Sequence, residues 1–298
     1  MTAAPWLWAV FTLIAAAAQT VRNATQRELT GKLGTVGATH VRFLFGLPFA
    51  CIFLVGVIVV GGAALPPLGM VFWPWVLAGA LLQIAATALM LAAMGERSFV
   101  VAIAYIKTEP IQVALFGLVF LGDHVTPLMA AAILIATCGV VVMSLKSGAL
   151  RGDVVPTVLG LSAGACFALS AIGYRGAILS LHDPNFVMAA TFTVTIGLAV
   201  QTVLLTGWLM LRDRAVLNAI FRAWRPSLFA GFMGALASQF WFLGFATATA
   251  ASVRTLALVE VLFAQAISHF VFKQPVSARE GAGIVLVVVG VALLVWAY

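Results

Sequence analysis

Three ionisable side chains lie where the surrounding residues are lipid-soluble. The stretch AYIKTEPIQ at 104–112 puts Lys107 and Glu109 inside an otherwise apolar run from Ser98 to Leu121, and Glu260 interrupts a second such run. A charge at the middle of a bilayer costs about 3 kcal/mol on insertion scales, so each needs a partner, a cavity or a task. Ser98 to Glu109 is eleven residues, about 16 Å of helix rise, which brings Glu109 close to the midplane. Two carboxylates and a lysine at one depth suit a zwitterion: acids for an ammonium, the lysine for a carboxylate. Either glutamate could instead carry a coupling proton. The plainer alternative is structural, with Lys107 pairing with Glu109 or Glu260 across helices, or each glutamate bonding neighbouring backbone. Residues two apart point to nearly opposite sides of a helix, so Lys107 and Glu109 cannot pair in regular geometry. Tyr105, Thr108, Glu109 and Gln112 share a face. Pro110 removes one backbone donor and should bend the helix, leaving the carbonyl of Ile106 open to a ligand, water or side chain.

Other polar residues punctuate the apolar runs. Gln83 and Thr87 share a face, as do Ser162, Cys166, Ser170 and Tyr174 at four-residue intervals; interhelical hydrogen bonding, worth about 0.6 kcal/mol each, is the simplest reading. The match of GLSAG (160–164) to a nucleophile elbow lies inside an apolar run with no strand before it, so Gly160 and Gly164 read as a small-xxx-small packing surface. No Walker A, H-E-x-x-H or G-x-G-x-x-G pattern is present. No catalytic residue, metal or cofactor is therefore expected, and the chain is read as a non-enzyme. His40, His124, His182 and His269 are expected near span ends. Cys51, Cys138 and Cys166 read as buried small hydrophobes.

The elements that carry these residues follow from composition. Of 298 residues 63% are hydrophobic and 8% charged, against about 25% charged in soluble domains, so a polytopic membrane protein is the expected class. The net charge of +7 is spread between apolar runs rather than along a stripe, which argues against a nucleic-acid partner and for juxtamembrane roles. Windows of about 20 apolar residues predict ten spans, near 5–23, 37–60, 72–94, 98–121, 126–145, 155–175, 186–210, 226–247, 250–272 and 278–297. Trp6, Trp8, Trp73, Trp75, Trp208 and Trp296 fall at span ends, where aromatic belts form. Shifting the chain by 151 residues lays EPIQVALFGLVFLGDHVTP (109–127) on EVLFAQAISHFVFKQPVSA (260–278), with Glu109 on Glu260 and Gly139 on Gly290. The chain thus reads as two five-helix halves, 1–148 and 149–298. Five is odd, so the halves enter the membrane from opposite sides; inverted repeats belong to alternating-access transporters, with the substrate near the midplane between repeats.

Glu109-Pro110, Gly122-Asp123, Thr126-Pro127 and Gly139, repeated in part as Glu260, Ser277 and Gly290, resemble the EamA-type domain of the drug/metabolite transporter superfamily. The second copy departs from it with Val261 for the proline and Lys273-Gln274 for the Gly-acid pair. Ten-helix bacterial members similar to this chain include the YddG-type amino-acid exporters. The resemblance implies an all-α bundle around a central cavity lined by helices one, three, four, six, eight and nine, in a bacterial inner membrane. On that expectation Gln83 and Gln239 line the cavity, and Trp241 faces it with a lipid-facing position as the alternative. Tyr105, Lys107, Glu109 and Glu260 complete the expected substrate site, with Pro110, Gly164 and Gly231 as hinges alongside Pro48 and Gly234. Basic residues concentrate in the connections after odd-numbered spans, with Arg175 and Arg254 alone after even-numbered ones. The positive-inside rule then puts both termini outside, whereas family members are commonly drawn with both inside. The expected function is export of small metabolites, above all amino acids including aromatic and neutral ones, by a secondary transporter. An exchanger of phosphorylated sugars or other organic anions, using Lys107 and Arg254, is one alternative. An intramembrane lipid-modifying enzyme is the other.

Overall fold

The computed structural model describes residues 4–96, 105–144, 154–270, 273 and 276–297, and all regular structure among them is helical. In chain order the helices are α1 (Leu7–Leu44), α2 (Leu47–Gly61), α3 (Phe72–Glu96), α4 (Glu109–Leu121), α5 (Pro127–Ser144) and α6 (Val154–Ser180). They continue as α7 (Phe186–Arg212), α8 (Arg214–Arg222), α9 (Trp224–Thr247), α10 (Ala250–Leu256), α11 (Val259–Phe270) and α12 (Ala278–Ala297). Among the described residues six stretches are long and apolar enough to cross a membrane: Glu28–Gly61, Phe72–Ala93, Thr157–Ser180, Phe186–Arg212, Trp224–Thr247 and Ala278–Ala297. α4 and most of α5 are apolar but shorter. Branched side chains such as Val60, Val119 and Val203 stand exposed on these helices, as they do where the solvent is hydrocarbon.

Local chemistry sets several boundaries. Gly62 and Gly122 end α2 and α4 in the left-handed conformation, which costs a glycine least. Asn185 caps α7 by accepting from Val187 N and Met188 N at 3.1 and 3.2 Å. The connection expected between the first two spans is helical instead: α1 runs on to Leu44, interrupted by one non-helical residue, Gly34 at φ 69°, ψ 176°. A side chain would be strained there, so the glycine lets the chain turn without a loop. The starting point Ser98, the basic residues Arg97, Lys146 and Arg151, and the junction between sequence halves lie outside the described residues.

The chain separates into two compact units, each drawn from both sequence halves. The first comprises residues up to Ile84 together with Gly173–Thr247; the second comprises Ala85–Ile172 and the residues from Ala248 on. In the first unit α1 packs along α9, and α7 packs against α2 and α9. In the second, α5 packs along α12 and α10 against α4. The α5–α12 contact is close because small residues face it. A Cβ at Gly139 would lie 2.7 Å from Val287 N and 2.8 Å from Gly283 O, and one at Gly290 would lie 2.5 Å from Ala136 N and 2.8 Å from Ala132 O. Gly139, Ala132 and Ala136 become Gly290, Gly283 and Val287 on adding 151, so the contact is its own mirror under the sequence offset. Ala136, Val140, Leu258 and Val287 form the adjoining core.

Two packing expectations need correction. Cys51 and Cys138 are exposed and Cys166 half-buried, because a small apolar side chain has no need of burial when its surroundings are lipid. Trp8 is 2% exposed rather than interfacial, whereas Trp6 and Trp296 stand well out.

Candidate functional site

In the second unit two helices are broken at matching places. α4 starts at Glu109 after a tight turn in which Thr108 N donates to Tyr105 O and Ile111 N to Thr108 O, both at 3.2 Å. Thr108 Oγ1 also donates to Tyr105 O at 2.7 Å. Pro110 occupies the first turn of α4, where its missing N–H costs nothing; the break precedes it, at Lys107–Thr108. Between α10 and α11 the chain turns again at Ala257–Leu258, with Leu258 N donating to Thr255 O at 3.1 Å and Glu260 N to Ala257 O at 3.0 Å. Val261 stands where the first copy has proline, so proline is not what breaks this helix. Span nine, expected to be continuous, is two helices. Each glutamate sits in the first turn of the helix after its break, where the helix dipole favours a negative charge.

The breaks bring four charges together. Lys107 Nζ donates to Glu260 Oε1, and Arg254 Nε lies 3.1 Å from Glu109 Oε1. All four side chains are about nine-tenths buried. The pairs are crossed in sequence order: Glu109 meets Arg254, and Glu260 meets Lys107. Two basic and two acidic side chains have a formal charge sum of zero. Of the pairings weighed from the sequence, Lys107 with Glu260 across helices is the one present. Arg254, assigned by the tally of basic residues to a connection although the predicted span 250–272 contains it, is an inward-facing residue of α10. Tyr105 packs against Gly160, whose Cβ would lie 2.7 Å from Tyr105 Cβ. Gly164 lies against the carbonyl oxygen of Ile106, which would be 3.3 Å from a Cβ there, so it supports the break from the side.

The first unit carries a separate polar network. Tyr174 is buried between α3 and α7: a Cβ at Gly79 or Gly197 would come within 2.9 Å of its ring. Its hydroxyl donates to Gln83 Oε1 at 3.2 Å, which also accepts from Gln201 Nε2 at 2.9 Å. Gln239 Nε2 donates to Thr191 Oγ1 at 2.7 Å. Trp241 Nε1 donates to Gln19 Oε1 at 3.1 Å, and with 3% exposure the lipid-facing alternative for this tryptophan falls. Gly231 meets the backbone of Phe45, at 2.5 Å from a Cβ position to its carbonyl carbon, so it is a point of close helix approach. Arg22 and Arg42, both buried, converge on Gly234, 3.5 and 3.2 Å from its Cβ position. Arg22 lies within α1 rather than in the connection expected for it. Arg42 is missed by the span count, although an arginine inside an apolar run is itself the signal. His40, expected near a span end, is fully buried in α1, with Nε2 3.0 Å from Thr206 Oγ1. Arg175, also expected in a connection, lies within α6 and donates to Phe245 O at 2.7 Å. The side chain of His269 lies outside the described residues.

Lys107, Glu109, Tyr105 and Glu260 thus share one unit, and Gln83, Gln239 and Trp241 share the other. A pocket of about 530 Å³ formed by Ala63–Pro67 and Leu181–Asn185 contains none of them.

Residues 156–296, just under half of the chain, match the model of the EamA-like transporter family. No curated protein matches the sequence. A protein of known crystal structure superposes with a TM-score of 0.71 over 97% of this chain and 94% of its own at 13% identity, a likeness that establishes a shared fold alone. With six stretches among the described residues long and apolar enough to cross, the chain is a multi-pass membrane protein.

Proposed function

We propose that this chain is a secondary transporter of the EamA-like family, with ten spans in two inverted five-helix halves, that exports small zwitterionic metabolites, amino acids first among them, by alternating access. The carrying observation is the crossed charge cluster, formally zero in sum, at paired helix breaks. Broken helices in corresponding positions of two halves are the best sequence-readable pointer to a transporter's binding region. The exchange of Gly139–Gly283/Val287 for Gly290–Ala132/Ala136 under the 151-residue offset supports the repeat.

An α-amino acid carries the two charges that the cluster already matches internally. Its ammonium can replace Lys107 or Arg254 at a carboxylate, and its carboxylate can replace Glu260 or Glu109 at a cation, without leaving net charge in the membrane. A phosphorylated sugar brings only negative charge and would have to displace both glutamates from their partners, so the organic-anion exchanger ranks second. A glutamate released from its cation could then bind a proton and couple the cycle. The inner membrane of a bacterium, with termini outside, is the orientation we propose from the charge bias. With Arg22, Arg175 and Arg254 taken out as inward-facing side chains, the remaining basic residues of the connections all follow odd-numbered spans. Gly164, Pro110 and Gly231 act as hinges in this reading.

The test is efflux of a mixed labelled amino-acid pool from proteoliposomes, comparing the wild type with the charge-neutral variant Glu109→Gln/Arg254→Gln. Efflux lost in a variant that remains folded supports the cluster as part of the path. Efflux retained makes the pairs packing elements, and no wild-type efflux of any amino acid removes the substrate class.

A further inference from the structure

α8 is nine residues long, about 13 Å of rise, and lies between two helices that are long and apolar enough to span, α7 and α9. It is too short to cross and its faces differ sharply. Ile220 is fully buried, and Val216 and Ile220 reach Gly37 of α1, at 2.9 and 4.0 Å from its Cβ position. Asp213 caps the helix by accepting from Val216 N at 3.1 Å, so the only acid between 212 and 225 is engaged with backbone. Four arginines, Arg212, Arg214, Arg222 and Arg225, occupy the same stretch and all are exposed. Four positive charges and one negative leave +3 over fourteen residues. Beside them Leu211, Phe221 and Trp224 are 85, 54 and 50% exposed, and the Arg225 guanidinium lies over the Trp224 ring at 5.4 Å.

We propose that α8 and its flanks form a binding site for anionic phospholipid, with the headgroup phosphate held by Arg222 and Arg225 and the acyl chains against Phe221 and Trp224. The occupant follows from charge complementarity and position. An apolar rim immersed beside the span ends requires acyl chains, and a net +3 rim at headgroup level selects a lipid with net negative charge over a zwitterionic one. Arginine suits the phosphate because its planar fork donates two parallel hydrogen bonds. The proposal does not depend on what the protein transports.

Quenching of Trp224 by brominated lipid tests it, with emission from Trp224 taken as the difference between wild type and Trp224→Phe. The full-length protein is reconstituted in phosphatidylcholine vesicles containing a minority of phosphatidylglycerol, bromine being placed on one lipid or the other. The expected result is quenching by brominated phosphatidylglycerol well above its mole fraction. That excess falls about five-fold for each of Arg222→Gln and Arg225→Gln, and it weakens as salt is raised. Because these side chains are exposed, the variants should keep the wild-type melting temperature; Arg279→Gln serves as a control that leaves the excess unchanged. Equal quenching by the two lipids overturns the proposal. So does loss of the excess on adding inorganic phosphate, which would make this a free-anion site.

Discussion

Replacing Glu109 by glutamine strips Arg254 of the carboxylate 3.1 Å away while changing shape very little. At that separation, an effective dielectric near 20 gives about 5 kcal/mol of attraction. Losing one partner of a buried pair costs roughly 3–5 kcal/mol in other proteins. Glu109→Gln should therefore destabilise by about that range, which for a chain of this size lowers the melting temperature by roughly 6–10 °C. Arg254→Gln alone should cost a similar amount. The double variant should recover most of it, since a neutral glutamine pair needs no counter-charge. Thermal unfolding of the four proteins in detergent closes the cycle and yields the coupling energy directly. The crossed arrangement adds a stricter requirement: the Glu109–Arg254 coupling must exceed the Glu109–Lys107 coupling measured with Lys107→Gln. Additive effects at Glu109 and Arg254, or a stronger coupling to Lys107, would refute the pairing and the reasoning built on it.

Gly290→Ala puts a methyl 2.5 Å from Ala136 N, a backbone atom with no rotamer to change, and should destabilise by roughly 1–3 kcal/mol; Gly281→Ala, with nothing within 4 Å of its Cβ position, should be neutral or stabilising in the same melt. Gln83→Leu removes the acceptor shared by Tyr174 and Gln201 and should cost about 1–3 kcal/mol, part of it recovered by adding Tyr174→Phe, as read by melting temperature. In a background lacking the three native cysteines, a membrane-impermeant maleimide applied to intact cells should label Ala64→Cys and spare Asn218→Cys; the reverse pattern would put the termini inside.

The residue string alone carries the class, most helix positions and the presence of intramembrane charge. Hydropathy sums over about 20 residues, so the helices Phe72–Glu96, Pro127–Ser144, Phe186–Arg212 and Ala278–Ala297 are legible within a few residues of their ends. The 151-residue offset is legible too, since residue types recur whatever they touch. Lys107, Glu109 and Glu260 stand out because a charge in an apolar run is anomalous by itself. What each charge faces cannot be read this way. Transfer free energy depends on local composition, whereas burial and pairing depend on which side of a helix turns toward which neighbour. That is why the charge pattern assigns Arg254, inside the predicted span 250–272, to a connection, and why Trp8 is expected at the interface. The break between α10 and α11 is hidden because it has no proline to mark it. α8 is hidden because nine amphipathic residues between two spans have the average polarity of a loop. Only the packed chain could cross Glu109 with Arg254 and Lys107 with Glu260, because a buried charge finds its partner through tertiary contact across 145 or 153 positions of sequence.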